Sequence, residues 1–304
     1  MSEKVILRPI YLPTNQGHGN ARRVSLEHCK NELVAIMDAD DISYNYRFEE
    51  QLRFLEENPM VSVIGGQITE FVGKPSNITG IRFVPESDTD IKRYMKKRCP
   101  MNQMSVMFKK KSIEDVGGYL DWFCEEDYYL WIRLALKGYK FANVPYNLVN
   151  VRTGYDMSVR RGGWRYFKSE AKLQKYMLSK KMIDFPQCFY NIAVRFLGEV
   201  MVPAFVRAKL FYFMRKKYIS QKPSCEKNEV SAVYRHTYPP FSVAMCVYGK
   251  DNAEWFDKAM QSIINQTVQP NEIVLVIDGT IPKSIQKIID KYVEICEKQE
   301  GLNM

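Results

Sequence analysis

The chain has 304 residues, of which 46% are hydrophobic and 26% are charged, with 44 Lys+Arg against 35 Asp+Glu. This composition excludes an intrinsically disordered chain, and 16 Gly with 14 Pro exclude a collagen-like or low-complexity protein. No apolar run approaches the roughly 18 residues that a membrane-spanning helix needs, and Met1–Pro13 lacks the pattern of a signal peptide. The length allows one large domain, or one domain with an appendage.

Residues 1–150 alternate short apolar runs with helical patterns, which is typical of an α/β protein. The apolar runs predict strands at Val5–Ile10, Leu33–Met37, Val61–Ile64, Gln67–Phe71 and Ser105–Phe108. The helical spacing of apolar residues predicts helices at Gly19–Cys29, Arg47–Glu57 and Tyr128–Leu136.

The segment Arg160–Lys217 is strongly basic, with fourteen Lys/Arg and three Asp/Glu, a net charge of +11 where the whole chain carries +9. Aromatic and aliphatic residues are interleaved with these cations. This composition favours a helix on an anionic membrane surface. A solvated basic helix is the alternative interpretation, and nucleic acid is not an expected partner because no RNA- or DNA-binding signature accompanies the charge.

Residues 222–240 are charged, contain proline and lack periodicity, which predicts a linker. Two further strands are predicted after it, at Phe241–Val247 and Glu272–Ile277, together with helices at Glu254–Asn265 and Ile285–Glu297. The seven cysteines are scattered and include no C-x-x-C pair. Reduced thiols in a cytosolic protein are therefore expected, and a zinc site is not.

The last segment, FSVAMCVYGKDNAEWFDKAMQSIINQTVQPNEIVLVIDG, resembles the opening of family 2 glycosyltransferases. NQGHGNARR, LVAIMDADD, GGQI, MSVMF and EEDYYLWIRL resemble the rest of that catalytic domain, in the family's order. The resemblance implies the glycosyltransferase A fold: an α/β, Rossmann-like, mixed and mostly parallel sheet flanked by helices, here with a basic helical appendage.

The opening segment of the family stands at the end of this chain, so the sequence resembles a circularly permuted transferase. Domains tolerate such cuts at surface connections. The predicted division is 1–155 and 241–304 as two parts of one catalytic domain, 156–221 as a basic helical region and 222–240 as a linker. A fragment that straddles two tandem transferases is the alternative.

Three aspartates follow the strand Leu33–Met37 directly. Ligands of α/β proteins bind at the carboxyl ends of parallel strands, and Mg²⁺ or Mn²⁺ prefers oxygen ligands with several retained waters. The family's D-x-D motif maps onto Asp38 and Asp40, and Asp41 also matches. The resemblance implies that Asp38 and Asp40 contact the nucleotide sugar and that Asp40 or Asp41 binds Mn²⁺ or Mg²⁺.

Val247, Tyr248 and Asp278 end the other two predicted strands. In the family these positions hold the base and ribose of the nucleotide, so the resemblance implies that all three bind the nucleotide sugar. Ile277 fills a position that is acidic in many relatives.

Glu125, Glu126 and Asp127 open a predicted helix, where acids also interact favourably with the helix dipole. The family's E-D pair implies that Asp127 is the general base, with Glu126 as the substitute. One base suffices for direct displacement with inversion, because a carboxylate can take the proton of the attacking hydroxyl.

Arg22, Arg160 and Arg161 are the candidate cations for the diphosphate, since guanidinium groups match phosphate geometry. Surface solvation is the alternative for all three. Gln103 stands where relatives often have histidine, which argues against a proton-carrying role there. The three histidines have no metal-ligand spacing and are expected to be structural or exposed: His18, His28 and His236.

The predicted function is an inverting, metal-dependent transferase that moves a hexose or N-acetylhexosamine from a UDP-sugar to a saccharide or lipid-linked saccharide in surface polysaccharide synthesis. The expected location is the cytoplasm, on the inner face of the membrane. A sugar-nucleotide nucleotidyltransferase is the first alternative, although VYGKDNAE lacks the Gly-rich phosphate loop which that chemistry needs. An inactive, rearranged protein that binds nucleotide or membrane is the second.

Overall fold

The computed structural model describes residues 5–154, 162–203, 205–207, 209 and 237–298. The strands of this part of the chain are, in order, β1 (Ile6–Leu12), β2 (Leu33–Asp38), β3 (Ile42–Ser43), β4 (Val61–Phe71), β5 (Ile78–Arg82), β6 (Met107–Lys109), β7 (Lys140–Arg152), β8 (Phe241–Tyr248) and β9 (Glu272–Asp278). The helices are α1 (His18–His28), α2 (Arg47–Glu57), α3 (Asp88–Met95), α4 (Lys110–Asp115), α5 (Glu126–Leu136), α6 (Gly163–Ser179), α7 (Phe185–Arg195), α8 (Ala253–Ile264) and α9 (Lys283–Lys298).

All of these strands belong to one sheet, in the order β1-β9-β8-β2-β6-β4-β7-β3, with β5 paired to β4. The strands β1, β9, β8 and β2 are parallel to one another, and β4 is parallel to β7. The short strand β6 runs antiparallel between β2 and β4. The predicted mixed, mostly parallel sheet flanked by helices is therefore confirmed.

The two strands that come last in the chain lie between β1 and β2, the first two. Ile6 pairs with Glu272 and Leu12 with Asp278, so β1 runs along the whole of β9. On its other side β9 pairs with β8, and β8 pairs with β2. The terminal segment therefore lies in the sheet at the place that the restored family order predicts. The circular permutation itself stays a prediction.

The central strands are apolar on both faces because helices cover both sides of the sheet. Ala35 and Met37 of β2 belong to one core cluster, with side chains from α2, α8 and α9. Val34 and Ile36 belong to the other, with side chains from α1, α3, α4, α5, α6 and α7. Successive side chains of a strand point to opposite faces, and a strand buried on both faces has a continuous apolar sequence. This explains the run LVAIM that precedes the aspartates.

Three details differ from the sequence predictions. The predicted strands 61–64 and 67–71 are one strand, β4, with a register shift at Gly66 and Gln67. Residues 103–105 form a 3-10 turn before β6, because the Ser105 hydroxyl and amide both donate to the Asn102 carbonyl. The longest strand, β7, was not predicted, since Pro145 and three asparagines interrupt its apolar pattern.

The basic segment is helical where the structure describes it, in α6, in α7 and in a π-helical turn at Phe196–Met201. The predicted linker 222–240 lies outside the described residues except for 237–240, which have no regular structure. Within the described ranges, no helix combines the length and the apolar character that crossing a bilayer requires.

Candidate active site

The parallel strands bring their carboxyl ends to one edge of the sheet. Asp278 at the end of β9 pairs with Tyr248 at the end of β8, and Asp38 at the end of β2 pairs with Cys246. The predicted nucleotide-binding residues therefore meet at the edge where α/β proteins bind their ligands. We call this the carboxyl edge.

Arg22 of α1 connects this edge to the helix that carries the predicted base. Its guanidinium donates to Asp38 Oδ1 at 3.0 Å and to Glu126 Oε1 at 2.9 Å. The Arg22 side chain is only 14% exposed. Burial alone lowers its pKa, but the carboxylates of Asp38 and Glu126 raise the pKa above its ordinary value, so Arg22 stays charged. The ion pairs hold the first turn of α5 against the end of β2.

The two acids that open α5 have different surroundings. Glu126 is ion-paired with Arg22, and burial raises its pKa although Arg22 opposes that shift. Asp127 is half-buried and accepts a hydrogen bond from the amide of Tyr128 through Oδ1, at 2.7 Å. Among the residues that the structure describes, no cation pairs with Asp127. These surroundings favour Asp127 over Glu126 as a proton acceptor.

Glu125 precedes them and is turned away from the carboxyl edge. It is buried and accepts a hydrogen bond from the Tyr166 hydroxyl of α6 at 2.7 Å. The first turn of α5 is therefore fixed from two sides, by α1 and by α6.

The last two aspartates after β2 also differ. Asp41 is buried, and its Oδ1 accepts from the backbone amide of Arg152 at 2.8 Å. Burial raises the pKa of Asp41 well above its usual value, and the charges of Asp40 and Asp38 add to the rise. Asp40 is only half-buried. Asp41 is therefore fixed against the end of β7, whereas Asp40 is the more exposed of the two.

Arg152 lies beside Asp40 at the carboxyl edge. Its guanidinium carbon lies 4.1 Å from the ring centroid of Trp255 and 4.6 Å from that of Phe71. Its Nε donates to the carbonyl of Asp40 at 3.3 Å. These contacts join the end of β7 to the start of α8. The two elements are far apart in the sequence, and none of the motifs indicated that they meet.

The sequence interpretation also missed Asp251. Its Oδ2 accepts from the amide of Tyr248 at 2.9 Å, three residues earlier in the chain. Burial raises the pKa of Asp251 to about 7, and Asp40 and Asp38 contribute to the rise. The carboxyl edge thus concentrates negative charge around Asp38 and Asp40. The available sequence signal was an aspartate three residues after Tyr248, a spacing that suits a turn closed by the aspartate side chain.

The two oxygens of Asp278 accept from backbone amides, from Gln16 at 2.7 Å and from Gly17 at 3.0 Å. Gly17 has a φ of 83°, the left-handed region that favours glycine, and directly precedes α1. Asp278 therefore fixes the loop that leads to Arg22. Its predicted contact with a nucleotide base stays a prediction.

The other two strand-end residues are placed differently. The side chain of Val247 lies in the core at 1% exposure, so only its backbone can face a ligand; the strand's alternation turns it inward. Tyr248 is half-exposed, and the ring of His18 meets it edge-on with centroids 6.0 Å apart. His18 is exposed, as expected, and stands beside the predicted base-binding residue.

The other predicted residues either lie outside the described part of the chain or are engaged by neighbouring side chains. Arg160 and Arg161 lie outside the described residues, as does His236. Gln103 is buried, and its amide donates to the Tyr119 hydroxyl at 2.7 Å. Arg22, predicted to face the diphosphate, is engaged by two carboxylates, and its phosphate contact stays a prediction.

No group of three or more His, Cys, Asp or Glu side chains in the described ranges is arranged to hold a metal ion by itself. Mg²⁺ and Mn²⁺ sites in nucleotide enzymes use one or two carboxylates together with phosphate oxygens. The half-buried carboxylate of Asp40, close to Asp38 at the end of β2, suits such an ion in its chemistry.

Residues 2–116 match the protein family described as glycosyl transferase family 2. An uncharacterized glycosyltransferase of Haemophilus influenzae is 38% identical over 214 residues, covering 70% of this chain and 79% of that protein. The amylovoran biosynthesis glycosyltransferase AmsE of Erwinia amylovora is 35% identical over 192 residues, covering 62% and 71%. The UDP-Gal:alpha-D-GlcNAc-diphosphoundecaprenol beta-1,3-galactosyltransferase of Escherichia coli is 33% identical over 199 residues, covering 66% and 72%. Since the chain spans at least 71% of each relative at this identity, it belongs to glycosyl transferase family 2.

Proposed function

We propose that this chain transfers a hexose or N-acetylhexosamine from a UDP-sugar to a lipid-linked saccharide, with inversion, in the synthesis of a surface polysaccharide. The name of the Escherichia coli relative states a UDP-sugar donor and a diphosphoundecaprenol acceptor, which supports both classes of substrate. The name of AmsE supports a role in polysaccharide synthesis.

The observation that carries the proposal is the double ion pair of Arg22. It joins Asp38, at the end of β2, to Glu126, beside the proposed base. This buried contact supports the proposal, because it holds the proposed donor site next to the proposed proton acceptor. A transferase needs this juxtaposition, because the acceptor hydroxyl must attack the donor sugar in line with the leaving diphosphate.

Asp127 is the proposed general base. It takes the proton of the acceptor hydroxyl while the hydroxyl oxygen forms a bond to the anomeric carbon. The bond between that carbon and the diphosphate oxygen breaks on the opposite face, and UDP leaves with the electron pair. Glu126 is the weaker candidate, because its carboxylate is ion-paired with Arg22. Direct displacement with one base inverts the anomeric centre.

Asp40 is the proposed protein ligand of Mn²⁺ or Mg²⁺, and Asp38 the aspartate that contacts the nucleotide sugar. Asp40 would hold a divalent ion, which would supply positive charge to offset that of the leaving diphosphate. Asp41 is removed from the proposed metal ligands, since it is buried and its Oδ1 is bonded to the backbone of Arg152.

Tyr248, the backbone of Val247 and Asp278 form the proposed platform for base and ribose. Residues 1–155 and 241–304 are then one catalytic domain, supported by the sheet that both contribute to. The proposed place of action is the cytoplasmic face of the membrane, where a lipid-linked acceptor is reached.

The proposal is tested by incubating the purified chain with a panel of UDP-sugars and GDP-mannose, with and without a diphosphoundecaprenol-linked saccharide. We expect release of UDP from one donor, faster with acceptor and abolished by EDTA. Release of pyrophosphate would instead indicate a nucleotidyltransferase. Absence of turnover with every donor would overturn the proposed function.

A further inference from the structure

The helix α7 exposes large apolar side chains on its outer face. Its inner face packs Cys188 into the core and also carries Asn191 and Arg195, whose side chains bond to α6 and to the backbone just after α3. Its outer face carries Phe185 and Phe189, which are 70% and 67% exposed. A surface helix normally keeps its outer face polar.

The exposed apolar side chains continue beyond α7. Four-residue spacing places Phe185 with Phe189, and Tyr190 with Val194, on the same side of α7. Exposed apolar side chains follow in the π-helical turn and just beyond it. The members are Phe185, Phe189, Tyr190, Val194, Leu197, Met201 and Phe205, each between 48% and 70% exposed. We call this set the apolar stripe. Single exposed apolar residues are ordinary, but a contiguous set of this size marks an interaction surface.

The charged residues of the same segment are sorted by sign. Of its acids, Glu170 is buried against Arg195, and Glu199 is partly buried beside Arg195 and Arg207. Only Asp184 is exposed, and it caps the start of α7. The exposed cations of the described segment are Arg165, Lys168, Lys172, Lys175, Lys180, Lys181 and Lys209. The outside of the segment is therefore apolar and cationic.

We infer that the apolar stripe docks on the surface of an anionic lipid bilayer, with its rings among the acyl chains and headgroups and the cations at the phosphates. Exposed rings and aliphatic side chains on α7, with exposed lysines on the helix α6 that packs against it, have the composition of interfacial membrane helices. A second copy of this chain fits less well, because its stripe would bring a second set of cations against the first.

The docking surface is joined to the catalytic side of the molecule. Tyr166 of α6 bonds to Glu125, which directly precedes Glu126 and Asp127. Trp164, at the start of α6, packs on Phe196, immediately before Leu197 of the stripe, with ring centroids 5.8 Å apart. Docking therefore holds the turn with the proposed base near the lipid surface. This last step rests on the proposed function; the docking itself does not.

Co-sedimentation with vesicles tests the inference without any turnover. We expect the full chain to bind phosphatidylcholine vesicles that contain phosphatidylglycerol, and to bind pure phosphatidylcholine at least about ten-fold more weakly. Binding to the anionic vesicles should fall about ten-fold between roughly 0.1 M and 0.5 M NaCl, because salt screens the cations.

The double variant Phe189→Asp/Leu197→Asp should reduce the partition coefficient about a hundred-fold, since it removes two apolar groups and adds two repelled charges. Met60→Asp is the matched control: Met60 is apolar and 71% exposed but lies outside the stripe, so binding should not change. A melting curve for each variant checks that both remain folded.

Equal binding to neutral vesicles, no binding to either, or equal loss in Met60→Asp would overturn the inference. So would a dimer, seen by light scattering, that the double variant dissociates, because the stripe would then be a contact between copies. Vesicle binding as expected in a preparation that turns over no nucleotide sugar would remove the proposed function and support the docking.

Discussion

At the carboxyl edge, apolar side chains such as Val247 turn into the core and carboxylates remain at the rim, whereas α7 leaves apolar side chains at the surface. There Asn191 and Arg195 point inward to polar partners, and Phe185 and Phe189 point outward. The difference lies in which side chains find a partner inside the protein.

The comparison indicates which kind of ligand or surface each region suits. The edge leaves half-exposed carboxylates next to an ion-paired arginine, an arrangement suited to a polar ligand and a cation. The segment α6–α7 pairs its acids internally and leaves cations and rings outside, an arrangement suited to lipid. Substitutions in both regions test these assignments.

Asp127→Asn should lower turnover about a hundred- to ten-thousand-fold, because the amide is isosteric with the acid and cannot accept the proton. Donor affinity, measured by calorimetry, should stay nearly unchanged. Asp121→Asn is the matched control, since Asp121 is an exposed acid on the loop before the same helix. An active Asp127→Asn enzyme would show that the base lies elsewhere.

Arg22→Gln should cost about 3 kcal/mol of the free energy of unfolding, because it leaves Asp38 and Glu126 without their counter-charge in a largely buried place. The neighbouring Arg23→Gln should cost less than about 1 kcal/mol, since Arg23 is 45% exposed in a surface pair with Glu27. Urea unfolding measures both.

The same double ion pair predicts partial rescue. Adding Glu126→Gln to Arg22→Gln should recover part of the stability, because one unpaired carboxylate is removed with the arginine. Equal losses in the Arg22 and Arg23 single variants would mean that the buried bridge is no stronger than a surface pair.

Asp40→Asn should weaken Mn²⁺-dependent binding of UDP about ten-fold, equivalent to ~1.4 kcal/mol, because it removes the accessible carboxylate. Asp41→Asn should change UDP affinity little, since the amide oxygen can still accept from Arg152 and burial already favours the neutral acid. Calorimetry with and without EDTA measures both variants. The reverse ranking would return the metal to Asp41.

The smallest effect is expected at Glu199, in the π-helical turn that follows α7. Burial raises its pKa from 4.5 to about 7, although Arg195 and Arg207 oppose the shift. The folded protein therefore binds this proton more tightly than the unfolded chain does, and its contribution to stability falls as pH rises from about 4.5 to 7.

Glu199→Gln should remove that component, so the melting temperature of the variant should depend less on pH over this range. Glu294→Gln, at an exposed position of α9, is the control and should follow the wild type. Parallel melting curves for the Glu199 variant and the wild type would show that Glu199 titrates normally.

The sequence predicted best where local pattern and tertiary environment agree. Leu33–Met37 is apolar because both faces of β2 are covered, and the acids that follow could be placed at the strand end. Arg47–Glu57 was predicted with the observed bounds, since its apolar spacing matches one buried helix face. In β7, Asn143 and Asn150 are buried and bonded to loop carbonyls, so the period of two is absent from the sequence.

Pairing across the chain could not be predicted from local pattern. Asp40 and Asp41 are identical in type and adjacent, so the sequence could not indicate that Asp41 is the buried one, bonded to the amide of Arg152. Arg22 finds partners 16 and 104 positions away. For α7 the sequence indicated rings among cations, but which side faces inward depends on polar partners in α6 and after α3.

The pairing of β1 with β9 bears on how this chain folds as it is made. Arg8 and Glu272, bonded across that pair, are 264 positions apart, and β8 and β9 separate β1 from β2. At roughly 5–20 residues per second, a ribosome releases β2 tens of seconds before the strands that must flank it. During that interval β2 has an open, apolar edge, the kind of edge that pairs with other chains. Productive folding of this sheet therefore waits until β8 and β9 have been synthesised, and a ribosome-bound chaperone that covers β2 should raise the yield more than one that acts on released chains.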